Sequence, residues 1–139
     1  MTVIKMQDSI TTQDLEEDRI GKQIVDAAFQ VHAAFGPGLL ESVYEICLLE
    51  ELKSREINVE SQKPVPVVYK GIKLEAGFRL DVLAANSVIV EIKAVERLLP
   101  VHEAQMLTYL KLSDKRLGYL INFNAPLIKD GIKRMVRRK

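Results

Sequence analysis

GFRLDVLAANSVIVEIKA, residues 77–94, is the stretch whose reading decides the fold. Apolar side chains alternate on either side of Ala85-Asn86-Ser87, the pattern of two short strands joined by a tight turn. Asp81, Glu91 and Lys93 stand inside this apolar background, where an unpaired charge is costly. Side chains alternate across a strand, so Glu91 and Lys93 share one face, opposite Val90, Ile92 and Ala94. The face taken by Asp81 depends on register. A three-residue loop, Ala85-Asn86-Ser87, pairs Ala84 with Val88 and sets Asp81 opposite Glu91; a two-residue loop sends the two acids to opposite faces.

Upstream of the hairpin, DRIGKQIVDAAFQVHAAF (18–35) places Ile20, Ile24, Ala27, Ala28, Val31 and Phe35 at steps of three and four, which predicts a helix. Gly36-Pro37-Gly38 stops it and starts a second, LLESVYEICLLEELKSR (39–55), with Leu40, Val43, Tyr44, Cys47 and Leu48 as the buried stripe. PVPVVYKGIKLE (64–75) is rich in β-formers, with Lys70-Gly71 as its turn. Downstream, LPVHEAQMLTYLKLSD (99–114) returns to helical spacing, and RLGYLINF (116–123) is a short apolar strand suited to a sheet covered on both faces. PLIKDGIKRMV (126–136) fits a hairpin turning at Asp130-Gly131 or a short helix, and Asp-Gly favours the hairpin. The order α-α-β-β-β-α-β(-β) predicts an α/β sandwich, a mixed sheet with helices packed against it.

A chain of 139 residues, 47% hydrophobic and 28% charged, fits one soluble globular domain with a real core. Residues 1–12 carry no period and read as a loose arm without the basic-then-apolar order of a signal peptide. No apolar run approaches the roughly 20 residues of a membrane span, so the expectation is a cytoplasmic protein with no membrane partner. Cys47 is the only cysteine, which excludes an intrachain disulfide framework and a cysteine-based zinc cluster. The net charge of +1 hides an uneven distribution. Asp8, Asp14, Glu16, Glu17 and Asp18 crowd the first 20 residues, while Lys129, Lys133, Arg134, Arg137, Arg138 and Lys139 crowd the last 11. A basic end of this kind can track phosphates or be a solvated terminus.

Two carboxylates about 4 Å apart repel by about 4 kcal/mol at an effective dielectric near 20. In the three-residue-loop register, Asp81 and Glu91 therefore need a raised pKa, a cation or a bound metal. Lys93 supplies one positive charge, and a hard divalent ion such as Mg²⁺ suits two carboxylates completed by water and phosphate oxygens. The same residues also suit a structural ion network on an exposed sheet face, and spacing does not choose between the two. Glu41 falls at the shoulder of its helix stripe, on the side of Leu48 and Leu52, and Gln105 shares a helix face with Val101, Tyr109 and Leu112. Tyr44 and Tyr109 read as core residues with a hydrogen-bonded hydroxyl, and His32 and His102 as structural.

Asp81 followed by Glu91-Ile92-Lys93 on the next strand resembles the signature of the PD-(D/E)XK nuclease superfamily, with Leu80 standing where that name has Pro. GLLESVY, with Gly38, Glu41 and Tyr44, is similar to the Gly-x-x-Glu-x-x-Tyr stretch of the GxxExxY family within it. QKPVPVVYKG, FRLDVL, VIVEIKAV, HEAQMLTYLK and GYLINF also look like that family, over roughly residues 18–136. The resemblance implies a restriction-endonuclease-like core and a Mg²⁺- or Mn²⁺-dependent nuclease acting on nucleic acid, more naturally DNA. It further implies that Asp81, Glu91 and Glu41 hold the metal, that Gln105 supports the site, and that Lys93 orients the attacking water or stabilises the developing phosphate charge. The other reading is a catalytically silent module on the same fold that binds nucleic acid or protein. The small size and near-neutral charge leave room for a protein partner or a second copy to supply DNA-binding surface.

Overall fold

The computed structural model describes residues 10–138; residues 1–9, where most of the expected arm falls, and residue 139 lie outside it. The elements come in the expected order: α1 (Thr12–Phe35), α2 (Glu41–Ser54), β1 (Val59–Tyr69), β2 (Ile72–Ala84), β3 (Val88–Lys93), α3 (Pro100–Ser113), β4 (Leu117–Asn122) and β5 (Ile132–Val136). α1 starts at Thr12 rather than Asp18 because Thr11 and Asp14 cap it reciprocally. Thr11 Oγ1 accepts from the Asp14 amide at 3.0 Å, and Asp14 Oδ2 accepts from the Thr11 amide at 3.4 Å.

The strands form one sheet in the order β1-β2-β3-β4-β5, antiparallel except for the β3–β4 pair. Parallel strands need cover on both faces, and all of β4 is buried together with Val88 to Ile92 of β3. On one face Ile24 and Ala28 of α1 and Tyr44, Leu48 and Leu52 of α2 join Val82, Val90, Ile92 and Ile121 in one core. On the other, Met106 and Leu110 of α3 join Leu83, Ile89 and Leu120. Gly118 lets α3 approach, since a Cβ there would lie 2.6 Å from Met106 Sδ.

Three helix stripes differ from expectation. Leu40 is 73% and Val43 37% exposed, while Cys47 is half-buried. The buried line of α2 runs instead through Tyr44, Leu48 and Leu52. The Tyr44 hydroxyl donates to the Gly36 carbonyl at 2.6 Å and accepts from the Leu39 amide at 3.1 Å, and its ring stacks on Phe123 at 4.6 Å. A buried tyrosine needs those partners, and finding them sets the rotation of the helix. Phe35, at the end of α1, is 54% exposed. In α3 the buried residues are Met106 and Leu110, not the face of Val101, Gln105 and Leu112. The C-terminal segment satisfies both of its readings in part. Ile128–Gly131 form a 3₁₀ turn, and β5 then returns antiparallel along β4.

The uneven charge of the sequence is largely consumed by the fold. Arg116 donates to Glu17 Oε1 at 2.6 Å and to Asp18 Oδ1 at 2.8 Å, and Arg134 reaches Asp18 at 3.0 Å. Arg137 pairs with Asp114 at 2.7 Å and Lys133 with Glu103 at 3.8 Å. The basic end is therefore in good part tied to the chain's own acids rather than free to follow phosphates. Glu17 is 6% exposed and depends on Arg116. Arg116→Ala should cost about 2 kcal/mol by leaving that carboxylate buried without its cation. Urea denaturation would measure it, and adding Glu17→Leu should recover most of the loss.

Candidate active site

The β2–β3 turn has the three-residue form. Ala84 pairs with Val88, Ala85 and Asn86 both take a φ of 52°, and the Ser87 amide donates to the Ala84 carbonyl at 3.0 Å. The ladder runs back through Leu83↔Ile89 to Val82↔Val90, which brings Asp81 opposite Glu91. There side chains replace the main-chain rungs. The Asp81 amide donates to Glu91 Oε2 at 2.9 Å, and the Ile92 amide donates to Asp81 Oδ2 at 2.8 Å. Each acid thus bonds the other strand's backbone, and both carboxylates lie at the break between β2 and β3.

Glu91 is 4% exposed. Burial pushes its carboxyl up to about 8, the charge of Asp81 adds to the push, and the Asp81 amide and Lys93 pull it back. Glu45, one turn along α2 from Glu41, adds a smaller push. Burial and then the charges of Glu91 and Asp81 also raise the Tyr109 phenol. Lys93, half-buried at the end of β3, is the nearby opposing charge. The site is acidic, buried and short of positive charge.

The other expected residues divide. Glu41 is the first residue of α2, and its Oε2 accepts from the Ala94 amide at 3.2 Å, just past Lys93. That bond holds the strand end, and among the described residues Glu41 forms no three-acid cluster with Asp81 and Glu91. Gln105 is exposed on α3, one turn before Tyr109, and Val101 and Leu112 of the face it was expected to share are exposed with it. His32 lies 2.8 Å from the Ala125 carbonyl and His102 Nδ1 accepts from the Leu99 amide at 2.9 Å, structural tasks as the sequence suggested.

Three residues at the site escaped the sequence reading. Gln62, at a left-handed φ of 51°, reaches from the neighbouring strand β1 to Asp81 Oδ1 at 3.3 Å and to Glu45 Oε1 at 2.8 Å. No local pattern announces that twist. Glu45 was legible only as a residue four positions after Glu41. Asn122 had a signal, an amide in the otherwise apolar strand LGYLIN. It accepts from the Val95 amide at 3.0 Å and donates to the Val95 carbonyl at 2.9 Å, fixing the chain as it leaves Lys93. Asn122→Ala should cost about 1–3 kcal/mol in thermal or urea unfolding, because it leaves buried main-chain groups unpaired.

The donor set suits a divalent cation. Two adjacent carboxylates, one of them buried, lack an equal opposing charge, which a hard ion would supply. Among the described residues no three carboxylate, imidazole or thiol groups stand together as a finished cage. An ion on Asp81 and Glu91 would complete its shell with water and substrate oxygens, as Mg²⁺ usually does.

Helices on both faces of a mixed sheet, with an Asp and a Glu-x-Lys meeting where two strands part, define a restriction-endonuclease-like protein. The chain belongs to the PD-(D/E)XK nuclease superfamily, whose family model matches residues 18–135. Proteins of that superfamily are usually nucleases that use divalent metal ions, so membership points to a nucleic acid as the substrate class. No curated protein and no solved structure matches the chain. No helix among the described residues is long and apolar enough to cross a membrane.

Proposed function

We propose that this protein is a Mg²⁺- or Mn²⁺-dependent nuclease of the GxxExxY branch, hydrolysing phosphodiester bonds in DNA in the cytoplasm. The observation that carries the reading is the buried Glu91 carboxylate set against Asp81, with Lys93 next on the same strand. The branch assignment draws support from what its three named positions do. Gly38 takes a φ of 108°, Glu41 holds the Ala94 amide, and Tyr44 ties the Gly36 loop to α2. Its free cysteine suits a reducing compartment.

In this reading Asp81 and Glu91 hold the metal, and Glu41 keeps Ala94, and through it Lys93, in register at the strand end. The ion would act as a Lewis acid on a phosphate oxygen and lower the pKa of the attacking water. Lys93 offers its ammonium to that water or to the charge that builds on the phosphate. Tyr109, stacked on Phe78 at 4.1 Å, forms an apolar wall beside the acids, and Gln105, one turn before it on the same helix, is left to a supporting role. The silent-module reading keeps the same fold and drops only the chemistry.

Digestion of single- and double-stranded DNA and RNA with Mg²⁺ or Mn²⁺, run beside calorimetric metal titration, tests the proposal. Wild type should bind one ion and cleave DNA. Asp81→Ala should lose most of the metal affinity and the cleavage together. Metal binding by wild type with no cleavage of any of the four substrates would leave the binding module as the reading.

A further inference from the structure

β1 and β2 continue past the sheet. Among the described residues β2 pairs with β3 over Val82–Ala84, whereas its pairing with β1 runs out to Tyr69↔Ile72. Residues 64–69 and 72–79 therefore form a two-stranded ribbon without a third strand. Every residue from Val68 to Glu75 is exposed, Tyr69 by 61% and Ile72 by 63%. Lys70 and Gly71 make a tight turn with φ values of 51° and 78°, and Phe78 stacks on Tyr109 at the root of the ribbon.

Its two faces differ. The pairs Val68↔Lys73 and Pro64↔Arg79 put Lys73 and Arg79 on one face of the ribbon; the alternation breaks at Asp81, since Leu80 joins the α3 core and Val82 the opposite one. The pairs Val67↔Leu74 and Tyr69↔Ile72 make the other face apolar. Arg79 is exposed, and its Nη1 donates to the Gln62 carbonyl at 3.3 Å, while the side chain of Gln62 holds Asp81. Lys70, Lys73 and Arg79 against Glu75 leave the ribbon basic beside an acidic site.

We propose that this ribbon guides the substrate: it enters the major groove of duplex DNA, and Arg79 at its root holds the backbone phosphate next to the one positioned at Asp81 and Glu91. The proposal rests on the nuclease reading. A two-stranded ribbon fits the B-DNA major groove, about 12 Å wide, whereas the narrow major groove of A-form RNA does not admit it. Arg79 lies two residues before Asp81, about 7 Å along the strand, and Gln62 touches both, which places Arg79 beside the acidic pair. Its planar fork matches a phosphate, Lys70 and Lys73 neutralise phosphates farther out, and Tyr69, Ile72 and Leu74 offer apolar contact to thymine methyl groups.

The test is anisotropy binding to duplex DNA, duplex RNA and single-stranded DNA, without divalent ions, across a salt series. It is run on wild type, Arg79→Ala, Arg79→Lys and the double variant Lys70→Ala/Lys73→Ala, with sedimentation of each. Wild type should prefer duplex DNA, and the salt slope should shrink by about 0.9 for each cation removed, with Arg79→Lys keeping it. In Mg²⁺-supported digestion the double variant should raise KM several-fold with kcat nearly unchanged. Unchanged slopes, equal affinity for duplex RNA, or a wild-type dimer that Ile72→Asp dissociates without altering DNA affinity would overturn the guide. Cleavage with unchanged slopes removes the guide and spares the nuclease. Ribbon-dependent slopes without any cleavage support the ribbon as a duplex-DNA surface and remove the nuclease.

Discussion

Lys93→Ala is expected to slow phosphodiester cleavage by about 10²–10³-fold, the usual effect of deleting one electrostatic stabiliser of a transition state. Metal binding should survive, because Lys93 is a positive charge beside Glu91 and opposes a cation rather than holding one. Its removal should leave Mg²⁺ affinity equal or slightly higher. DNA affinity should hold too, since the ribbon and Arg79 belong to β1 and β2 and not to β3. Lys93→Arg restores the charge with a bulkier head and should recover only part of the rate. Single-turnover digestion paired with metal calorimetry separates these effects. A Lys93→Ala protein that cleaves like wild type would remove Lys93 from the chemistry.

Glu91→Gln should abolish metal binding and flatten the pH dependence of stability in the metal-free protein. Burial and Asp81 hold the folded Glu91 carboxyl near 8, above the ordinary 4.5 of the unfolded chain. The folded state thus carries more protons than the unfolded state between these values, and ΔG of unfolding falls as pH rises through that window. The stability present below about pH 4.5 is lost by about pH 8, a change on the order of a few kcal/mol. Mg²⁺ should reverse the trend, since it needs the ionised carboxylate, and its affinity should rise about tenfold per pH unit below 8. Thermal melts from pH 5 to 9 in chelator and in Mg²⁺ would show both slopes for wild type and neither for Glu91→Gln. Parallel curves for the two proteins would mean that Glu91 titrates normally and holds no ion.

Much of this was legible in the chain itself. Element order followed from two periods, 3.6 for residues 18–35 and about 2 for residues 77–94, because helix and strand present side chains at different spacings. The Asp81–Glu91 pairing was one of two registers that the hairpin allowed, and the three-residue turn that pairs Ala84 with Val88 selects it. What the sequence left open was orientation and long-range pairing. Periodicity marks the apolar side of a helix, but three turns of α2 offer overlapping stripes, and the one chosen depends on Tyr44 finding Gly36 and Phe123. For the same reason Gln105 was expected inside and is exposed, while Met106 packs over Gly118.

Residues that meet across the fold left no local trace of their partners. Gln62 reaches Asp81 through a left-handed backbone turn, and Asn122 holds Val95 from another strand. The acids of α1 meet Arg116 and Arg134 about a hundred positions away, so part of a basic end that looked free is already paired. By itself the sequence determined the order of elements and which acids stand in the β2–β3 hairpin, both of which depend on spacings of a few residues. The tertiary structure alone decided which helix faces are buried, which charges are already paired and which groups stand around Glu91. Those depend on contacts between distant segments, whose energies exist only once the sheet has closed.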